Sequence, residues 1–266
     1  MPHSFSTHTP KLMVSVEDAV ATVAINNPAK RNALDLHMWR ALPGVMAALD
    51  GDPDVRVVIL RGAGDEVFTS GADIAEFETV RRNAEDGRLY EAANETAFWA
   101  VARCSKPVVA MIRGFCLGGG FGLALSCDLR IAAENAVFGI PAARLGIGYP
   151  PGAMKLVTAA IGAPAARDLF FTARRIGARE AERLGVVQRV VPDGELETAV
   201  LALAQDIAGN APLTIRAAKA AIDEATGLAR PGVDPTALAG LCFESADAAE
   251  GRRAFLEKRS PVFTGR

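Results

Sequence analysis

Histidine and cysteine, the residues that most often build metal sites and nucleophilic triads, are scarce in this chain. Among 266 residues the only histidines are His3, His8 and His37. The four cysteines lie far apart, with no C-x-x-C pair, at Cys104, Cys116, Cys127 and Cys242. This spacing favours buried, reduced thiols over disulfides or a metal centre. We therefore expect neither a bound metal nor a histidine-based triad.

Long apolar runs and an excess of charge of one sign are also missing. Glycine, proline or a charged residue interrupts every apolar stretch well short of the ~20 residues that a membrane-spanning helix needs. The 29 lysines and arginines balance 31 aspartates and glutamates, so nothing favours nucleic acid or an anionic membrane as a partner. The opening MPHSFSTHTPKL has no signal-peptide pattern, and we expect a cytoplasmic protein.

The order of the predicted elements indicates an α/β fold. Two short strands flank Asp18 within residues 12–25, and Asp35 is placed to cap a helix that reaches about Leu49. The other predicted strands cover 55–64, 106–114, 128–134, 136–139 and 186–192, and the other helices cover 80–102, 151–172 and 178–184. Strands that alternate with helices are typical of an α/β protein.

The last quarter of the chain has a different pattern. After about Leu196 the sequence is helical with almost no strand signal. We therefore predict an α/β core over residues 1–205 and a helical region over residues 206–266. The two parts are expected to pack together, and the helical part is a candidate for contact with a neighbouring chain.

A first turn of interest lies in the segment FTSGADIAEF (68–77). Gly71 lets the backbone turn without a Cβ atom. Asp73, with Glu76 three residues later, has the spacing of a helix capping box. Backbone N–H groups near Ala72 would then point out of the turn.

A second turn lies in GFCLGGGFGLAL (114–125), where three glycines follow a buried strand and open an apolar helix. Such a turn exposes N–H groups at the positive end of the helix. Taken alone, each turn is more often ordinary turn chemistry. The spacing fits neither the P-loop nor the dinucleotide-binding glycine pattern, so a nucleotide phosphate site is disfavoured.

Six segments together resemble the enoyl-CoA hydratase/isomerase (crotonase) superfamily over residues 12–264. They are NNPAKRNAL, FTSGADIAEF, IRGFCLGGGFGLALSCDLRIAAENAVFGIP, LGIGY, TARRIGAREAERLGVVQRVVP and EGRRAFLEKRSPVF. The resemblance implies a spiral of ββα units, a C-terminal helical trimerisation region and trimers that often pair into hexamers. It also implies fatty acid metabolism, with coenzyme A as part of a thioester substrate and no tightly bound cofactor.

The same resemblance implies an oxyanion hole made of main-chain N–H groups. By position these belong to Ala72 and Gly119, and they would polarise the thioester carbonyl and stabilise the enolate beside it. In other enzymes the loss of one such donor costs about 3–4 kcal/mol.

Coenzyme A contacts carry over by position as well. The resemblance places Lys30, Arg31 and Ala33 near the pantetheine and phosphates, and Ala72, Asp73 and Ile74 around the adenine. Phe255 and Lys258 would reach in from the C-terminal helix, from the same subunit or a neighbour. For Lys30, Arg31 and Lys258 the alternative is an ordinary solvated charge.

The sequence departs from the family at two catalytic positions. Hydratases of the family use two glutamates, and Gly122 and Ala142 stand in their places. A positioned acid or base contributes ~10²–10⁴-fold, so efficient hydration is in doubt. Pro150 stands where the dehalogenase branch has its nucleophilic aspartate, which disfavours that branch.

Few other side chains are candidates for catalysis. Tyr149 occupies a position similar to that of a tyrosine in a methylmalonyl-type decarboxylase branch, although a packing role is at least as plausible. Glu76 and Glu78 are candidate acids, but a helix cap and a solvated face explain them more simply. Asp128 is expected to bond the backbone.

Three functions remain open at this point. The first is a lyase or isomerase that stabilises an enolate, with hydration, isomerisation, decarboxylation and thioester hydrolysis as the possible reactions. The second is a catalytically silent oligomer that binds acyl-CoA. The third, RNA binding as in one relative, lacks a lysine-rich helix.

Overall fold

The computed structural model describes residues 3, 4, 7 and 9–266, so His8 lies outside the described residues. Within these ranges ten strands form two sheets. They are β1 (His3–Ser4), β2 (Leu12–Glu17), β3 (Val20–Ile25), β4 (Val57–Gly62), β5 (Val108–Ile112), β6 (Phe115–Leu117), β7 (Leu129–Ala133), β8 (Val137–Gly139), β9 (Arg175–Gly177) and β10 (Arg189–Val191).

Eleven α-helices surround the sheets in the same described ranges. They are α1 (Leu36–Gly51), α2 (Phe77–Val80), α3 (Ala84–Ala102), α4 (Gly118–Leu125), α5 (Ala142–Leu145), α6 (Pro151–Thr172), α7 (Ala178–Arg183), α8 (Leu196–Gly209), α9 (Pro212–Ala225), α10 (Pro235–Glu244) and α11 (Ala246–Glu257). Short 3₁₀ turns lie at Pro28–Lys30, Ile74–Glu76 and Asp193–Glu195. No helix of this described part combines the length and apolar character that a bilayer crossing requires.

The chain winds between a larger and a smaller sheet. The larger sheet has the order β1-β2-β3-β4-β5-β7-β10, and the smaller one β6-β8-β9. Strands β3, β4, β5, β7 and β10 run parallel to one another, whereas β1, β2 and β3 pair antiparallel. The chain leaves the larger sheet after β5 and after β7, pairs in the smaller sheet, and continues into a helix each time. The predicted α/β spiral of ββα units is confirmed.

The parallel strands are buried on both faces, which explains their continuous apolar runs. In β5, the side chains of Val108, Ala110 and Ile112 belong to the core that contains α1, α3 and α4. The alternating residues Val109 and Met111 face the opposite way and pack with α8. Full burial of one such side chain is worth about 1.5–3 kcal/mol.

The expected boundary near residue 205 falls inside α8 rather than between two elements. Leu196, Val200 and Ala204 lie on one face of this helix and cover the second face of the larger sheet. Because that face must be buried, the helix continues to Gly209. Pro212 then begins α9.

The C-terminal helices leave large apolar side chains in solvent. Phe243, Phe255 and Leu256 are all more than 80% exposed in the single chain. The helical C-terminal region is thus as predicted. Its role in forming a trimer or hexamer stays a prediction.

Several predicted elements have the expected bounds, and a few short ones were not predicted. Helix α6 covers residues 151–172 as predicted, although Gly162 interrupts its helical backbone. Asp35 caps α1 by accepting the Met38 N–H at 2.9 Å. The three-residue strands β6 and β9 and the four-residue helix α5 were missed, because so few residues carry little pattern and the two strands depend on pairing with β8.

Two helical glycines provide a matched test of packing. A Cβ atom at Gly120 would lie 2.1 Å from Thr69 Cγ2, whereas no atom would lie within 4 Å of one at Gly44. We expect Gly120→Ala to lower the free energy of unfolding by about 1–3 kcal/mol through overpacking. Gly44→Ala should raise it by about 0.5–1 kcal/mol through helix propensity. Urea denaturation measures both, and equal effects would contradict this packing.

Candidate active site

The segment that carries Ala72 is held between two other parts of the chain. On one side, Thr69 exchanges backbone hydrogen bonds with β6: its N–H donates to Phe115 O at 2.9 Å, and its O accepts from Leu117 N at 3.2 Å. On the other side, the Leu34 N–H donates to Gly71 O, and the Asp73 N–H donates to Leu34 O, both at 2.8 Å. These four bonds fix the backbone on both sides of Ala72.

The direction of the Ala72 N–H follows from this pairing. In a trans peptide the C=O and the N–H point in opposite directions. Since the Gly71 carbonyl points at Leu34, the Ala72 N–H points away from Leu34. Gly71 has a φ of +101°, which favours glycine, and a Cβ there would lie 2.7 Å from Leu117 O. No acceptor among the described residues binds the Ala72 N–H.

Two of the three glycines at the start of α4 stand where the structure favours a residue without a side chain. Gly118 has a φ of +53°, which suits the turn from β6 into the helix. A Cβ at Gly119 would lie 3.2 Å from the Trp39 ring. Gly119 lies in the first turn of α4, where N–H groups have no intrahelical acceptor, and within the described residues its N–H has no partner.

Ala72 and Gly119 line the same cavity. Its volume is about 590 Å³, counted out to its open mouth. Most of its wall is apolar, formed by Ile74, Phe77, Phe98, Ile140, Pro141, Ala142, Leu145 and Ile147. An unpaired N–H in such surroundings interacts strongly with an oxygen that carries negative charge. The geometry can therefore polarise a carbonyl group.

An ion pair of Arg81 and Glu91 lies in the cavity wall. It was not found from the sequence. Arg81 follows α2, Glu91 lies in α3, and the Nη2–Oε1 distance is 2.9 Å. Burial raises the pKa of the Glu91 carboxyl, while the charge of Arg81 opposes the rise. The Arg81 guanidinium also stacks on the ring of Phe77, 4.6 Å from its centroid.

The sequence contains a pattern that could have indicated the polar residues of α3 in the cavity wall. In the predicted helix 80–102, the apolar positions Tyr90, Ala97 and Phe98 share one face with Asn94. A polar residue in a buried helical face, with Glu91 three positions earlier, is a departure from simple amphipathic patterning. Asn94 lines the cavity, and its Oδ1 atom is buried without a hydrogen-bond partner.

The two positions where the family resemblance predicts a glutamate have different surroundings. Ala142 lines the cavity. Gly122 is covered by Phe98, since a Cβ there would lie 2.8 Å from Phe98 Cζ and 3.4 Å from the Tyr149 hydroxyl oxygen. That hydroxyl donates to Gly118 O at 3.1 Å, and burial raises its pKa. Phe98 and Tyr149 therefore fill the space beside Gly122.

The residues predicted to contact coenzyme A lie partly together. Lys30 Nζ is 2.5 Å from Asp73 Oδ2, and Asp73 is buried while Lys30 is half exposed. Ile74 is exposed beside them and lines the cavity. The Arg31 guanidinium lies 5.9 Å from the Phe115 ring centroid, and Ala33 is buried.

Phe255 and Lys258 are not brought to this cavity within the single chain. Phe255 is 84% exposed on α11. Lys258 ends α11 with a left-handed backbone, φ +54°. A contact of these residues with coenzyme A, including one across a subunit interface, stays a prediction.

The capping box expected at Asp73 and Glu76 is only half present. Asp73 accepts the Ala75 N–H at 3.2 Å as a cap. Glu76 does not bond back to Asp73, because the Asp73 N–H is already donated to Leu34. Its Oε1 accepts the Leu36 N–H at 2.8 Å instead. Burial raises the pKa of Glu76.

Two further acids have surroundings that fit structural roles. Asp128 accepts the Val108 N–H at 2.7 Å and pairs with Lys219 at 2.7 Å. Glu78 is exposed on α2.

In the described ranges, no three His, Cys, Asp or Glu side chains cluster so that they could hold a metal ion. Burial raises the pKa of Cys104 to about 11 and that of Cys127 to about 12.

The two sheets, the helical C-terminal region and the cavity at the start of α4 define a crotonase-like α/β fold. The sequence model of the enoyl-CoA hydratase/isomerase family matches residues 15–266. Short-chain-enoyl-CoA hydratase of Clostridium acetobutylicum is 37% identical over 254 residues, which cover 93% of this chain and 95% of that protein. Crotonyl-CoA hydratase of Syntrophomonas wolfei is also 37% identical, with 95% and 97% covered.

Solved structures agree with the sequence matches. The crystal structure of enoyl-CoA hydratase from Bacillus anthracis superposes with a TM-score of 0.86 at 34% identity and covers 96% of this chain and 100% of that one. The chain belongs to the enoyl-CoA hydratase/isomerase family. The predicted resemblance is thereby confirmed.

The contact of Gly122 with Phe98 can be tested by a double-mutant cycle. We expect Gly122→Ala to lower the free energy of unfolding by about 1–2 kcal/mol, because the new methyl group meets the Phe98 ring. Phe98→Leu in the same chain should relieve part of that loss, with a coupling of about 1 kcal/mol. Denaturant unfolding of both single variants and the double variant measures the coupling. Additive losses would show that the two residues do not contact each other.

Proposed function

We propose that this protein is an acyl-CoA enzyme that stabilises a thioester enolate with the main-chain N–H groups of Ala72 and Gly119. The observation that carries the proposal is that Ala72 and Gly119 line one apolar cavity and that their N–H groups lack an acceptor within the described chain. Two fixed donors gain strength in such a site because little water competes with them. Their side chains are small, so a thioester can approach closely.

The proposed binding of coenzyme A uses the surface beside this cavity. Lys30 is half exposed and paired with Asp73, and Ile74 is exposed next to it. A lysine at the mouth would attract phosphate groups, and an exposed isoleucine offers an apolar surface to an adenine ring. This arrangement supports a substrate whose thioester lies inside and whose nucleotide lies outside.

Among the possible reactions, we favour hydration or isomerisation of an enoyl thioester. The named relatives are enoyl-CoA and crotonyl-CoA hydratases. Decarboxylation assisted by Tyr149 is less well supported, because its hydroxyl proton is already donated to Gly118 O. A catalytically silent acyl-CoA binder is the alternative, and product formation from acyl-CoA substrates separates it from an enzyme.

The proposal predicts different results for two substitutions of Ala72. Ala72→Pro removes the N–H, and we expect turnover of crotonyl-CoA or a 3-enoyl-CoA to fall by about 10²–10³-fold. Ala72→Gly keeps the N–H and should retain most of the activity. Mass spectrometry follows the products, and the melting temperature with and without acetyl-CoA reports folding and binding.

Equal turnover of Ala72→Pro and wild type would contradict the oxyanion assignment. Absence of product with any acyl-CoA, together with a rise in melting temperature, would indicate the silent binder. Absence of a rise at millimolar acetyl-CoA would count against both functions.

A further inference from the structure

Among the described residues, Arg81 and Glu91 are the two charged residues that line the cavity. Glu91 is the one carboxylate and Arg81 the one cation in that lining. Both are largely buried, with 19% and 16% of the side chains exposed. A buried ion pair gives little or no net stability. Its presence beside the two free N–H groups therefore points to a chemical role.

Glu91 lies on the same face of α3 as two other residues that line the cavity. Glu91, Asn94 and Phe98 are spaced i, i+3 and i+7 on α3, so they share one face. All three line the cavity that contains Ala72 and Gly119. The face that buries Phe98 against the Gly122 position also brings Glu91 into the cavity wall.

Asn94 is a second, independent observation at this place. It is only 6% exposed, and its Oδ1 atom has no partner. Buried polar atoms without a partner are rare in proteins and cost about 1–3 kcal/mol. Asn94 also hydrogen-bonds the Glu91 carboxylate, so it helps to hold that carboxylate in the cavity wall.

Glu91 also has a path to solvent. Arg81, Glu91 and Tyr149 line both the cavity and an open groove on its outer side. A group that transfers protons must exchange them with water between turnovers. A carboxylate in the wall between an apolar site and an open groove meets that requirement.

The surroundings of Glu91 raise its pKa above that of an ordinary glutamate. Burial raises its pKa, whereas the charge of Arg81 and hydrogen bonds from Asn94 and Arg81 lower it. Burial also raises the pKa of the Tyr90 and Tyr149 phenols, and the negative charge of Glu91 adds to both shifts. On the groove side, Arg88 and Glu95 of its own helix flank it. A base works best when its pKa lies near the working pH.

We infer that Glu91 is the acid–base group of this enzyme, taking the place of the glutamates absent at positions 122 and 142, with Arg81 as its positioning partner. The inference rests on the proposed function. The step is the proton transfer at the carbon next to the thioester carbonyl, which hydration and isomerisation share.

In this step the α C–H bond breaks and its proton moves to a Glu91 oxygen. The electron pair of that bond forms a double bond between the α carbon and the carbonyl carbon, and the π pair of the C=O bond moves onto the thioester oxygen, which the Ala72 and Gly119 N–H groups stabilise. The reverse transfer returns a proton to carbon and restores the carboxylate. No oxidant or further reactant is needed.

Deuterium incorporation into the α position of butyryl-CoA, measured by mass spectrometry in D₂O, tests the step directly. We expect Glu91→Gln to slow it at least 100-fold, with binding of butyryl-CoA within about threefold of wild type. Glu91→Asp should restore part of the rate. Glu85→Gln, an exposed position on the same helix, is the matched control and should leave the rate unchanged.

The pH profile separates a chemical role from a structural one. Because the base must be ionised, the wild-type rate should rise with pH through the raised pKa of Glu91. Arg81→Gln removes a group that lowers this pKa, so the rise should move to higher pH. A merely structural pair would change the size of the rate without moving the profile.

Two results would overturn the inference. One is a Glu91→Gln rate within threefold of wild type in a folded protein, and the other is a wild-type protein that incorporates no deuterium. The Ala72→Pro variant keeps the two proposals distinguishable. If it exchanges at the wild-type rate while Glu91→Gln does not, the oxyanion assignment fails and Glu91 stands.

Discussion

The peptide group between Gly71 and Ala72 is the constraint on which the rest of the site depends. Its carbonyl is bound by the Leu34 N–H at 2.8 Å, so its N–H must point the other way. Gly71 makes this possible, because its φ of +101° and its contact with Leu117 exclude a larger residue. The same contact brings the Leu117–Gly118 turn against this peptide. Backbone geometry alone therefore leaves the Ala72 N–H unpaired next to the turn that leads into Gly119.

The cavity beside that peptide group is filled differently from what the family resemblance predicts. At position 122, where the resemblance predicts a glutamate, the glycine leaves room for Phe98 and the Tyr149 hydroxyl. The hydroxyl bonds the carbonyl of Gly118, at the start of the helix that carries Gly119. Tyr149 lines the cavity, and its hydroxyl hydrogen bond supports the turn that precedes Gly119. On the proposed account, the acid–base role moves across the cavity to Glu91 on α3.

Local pattern was sufficient for most of the fold, and the family resemblance singled out two of the residues that line the cavity. The bounds of α6 and the Asp35 cap of α1 are set by nearby residues, so the sequence predicted them. The motifs around Ala72 and Gly119 were recognisable because backbone donors need only a turn of the right kind. Strands β6 and β9 were missed because three residues carry too little pattern, and their stability comes from pairing with β8.

The rest of the site depends on how elements pack, which one sequence does not reveal. Glu91 reaches the cavity only because α3 is rotated so that Phe98 covers Gly122. The extent of α8 follows similarly from an exposed sheet face that the helix must cover. Glu76 bonds Leu36 rather than Asp73, since a partner distant in sequence had already taken the Asp73 N–H.

The most direct measurement is a crystal structure of this protein with a bound acyl-CoA thioester. The account predicts a single thioester oxygen within about 2.7–3.1 Å of the nitrogen atoms of both Ala72 and Gly119. A thioester oxygen bound elsewhere in the cavity, with either nitrogen turned to a protein acceptor, would contradict it.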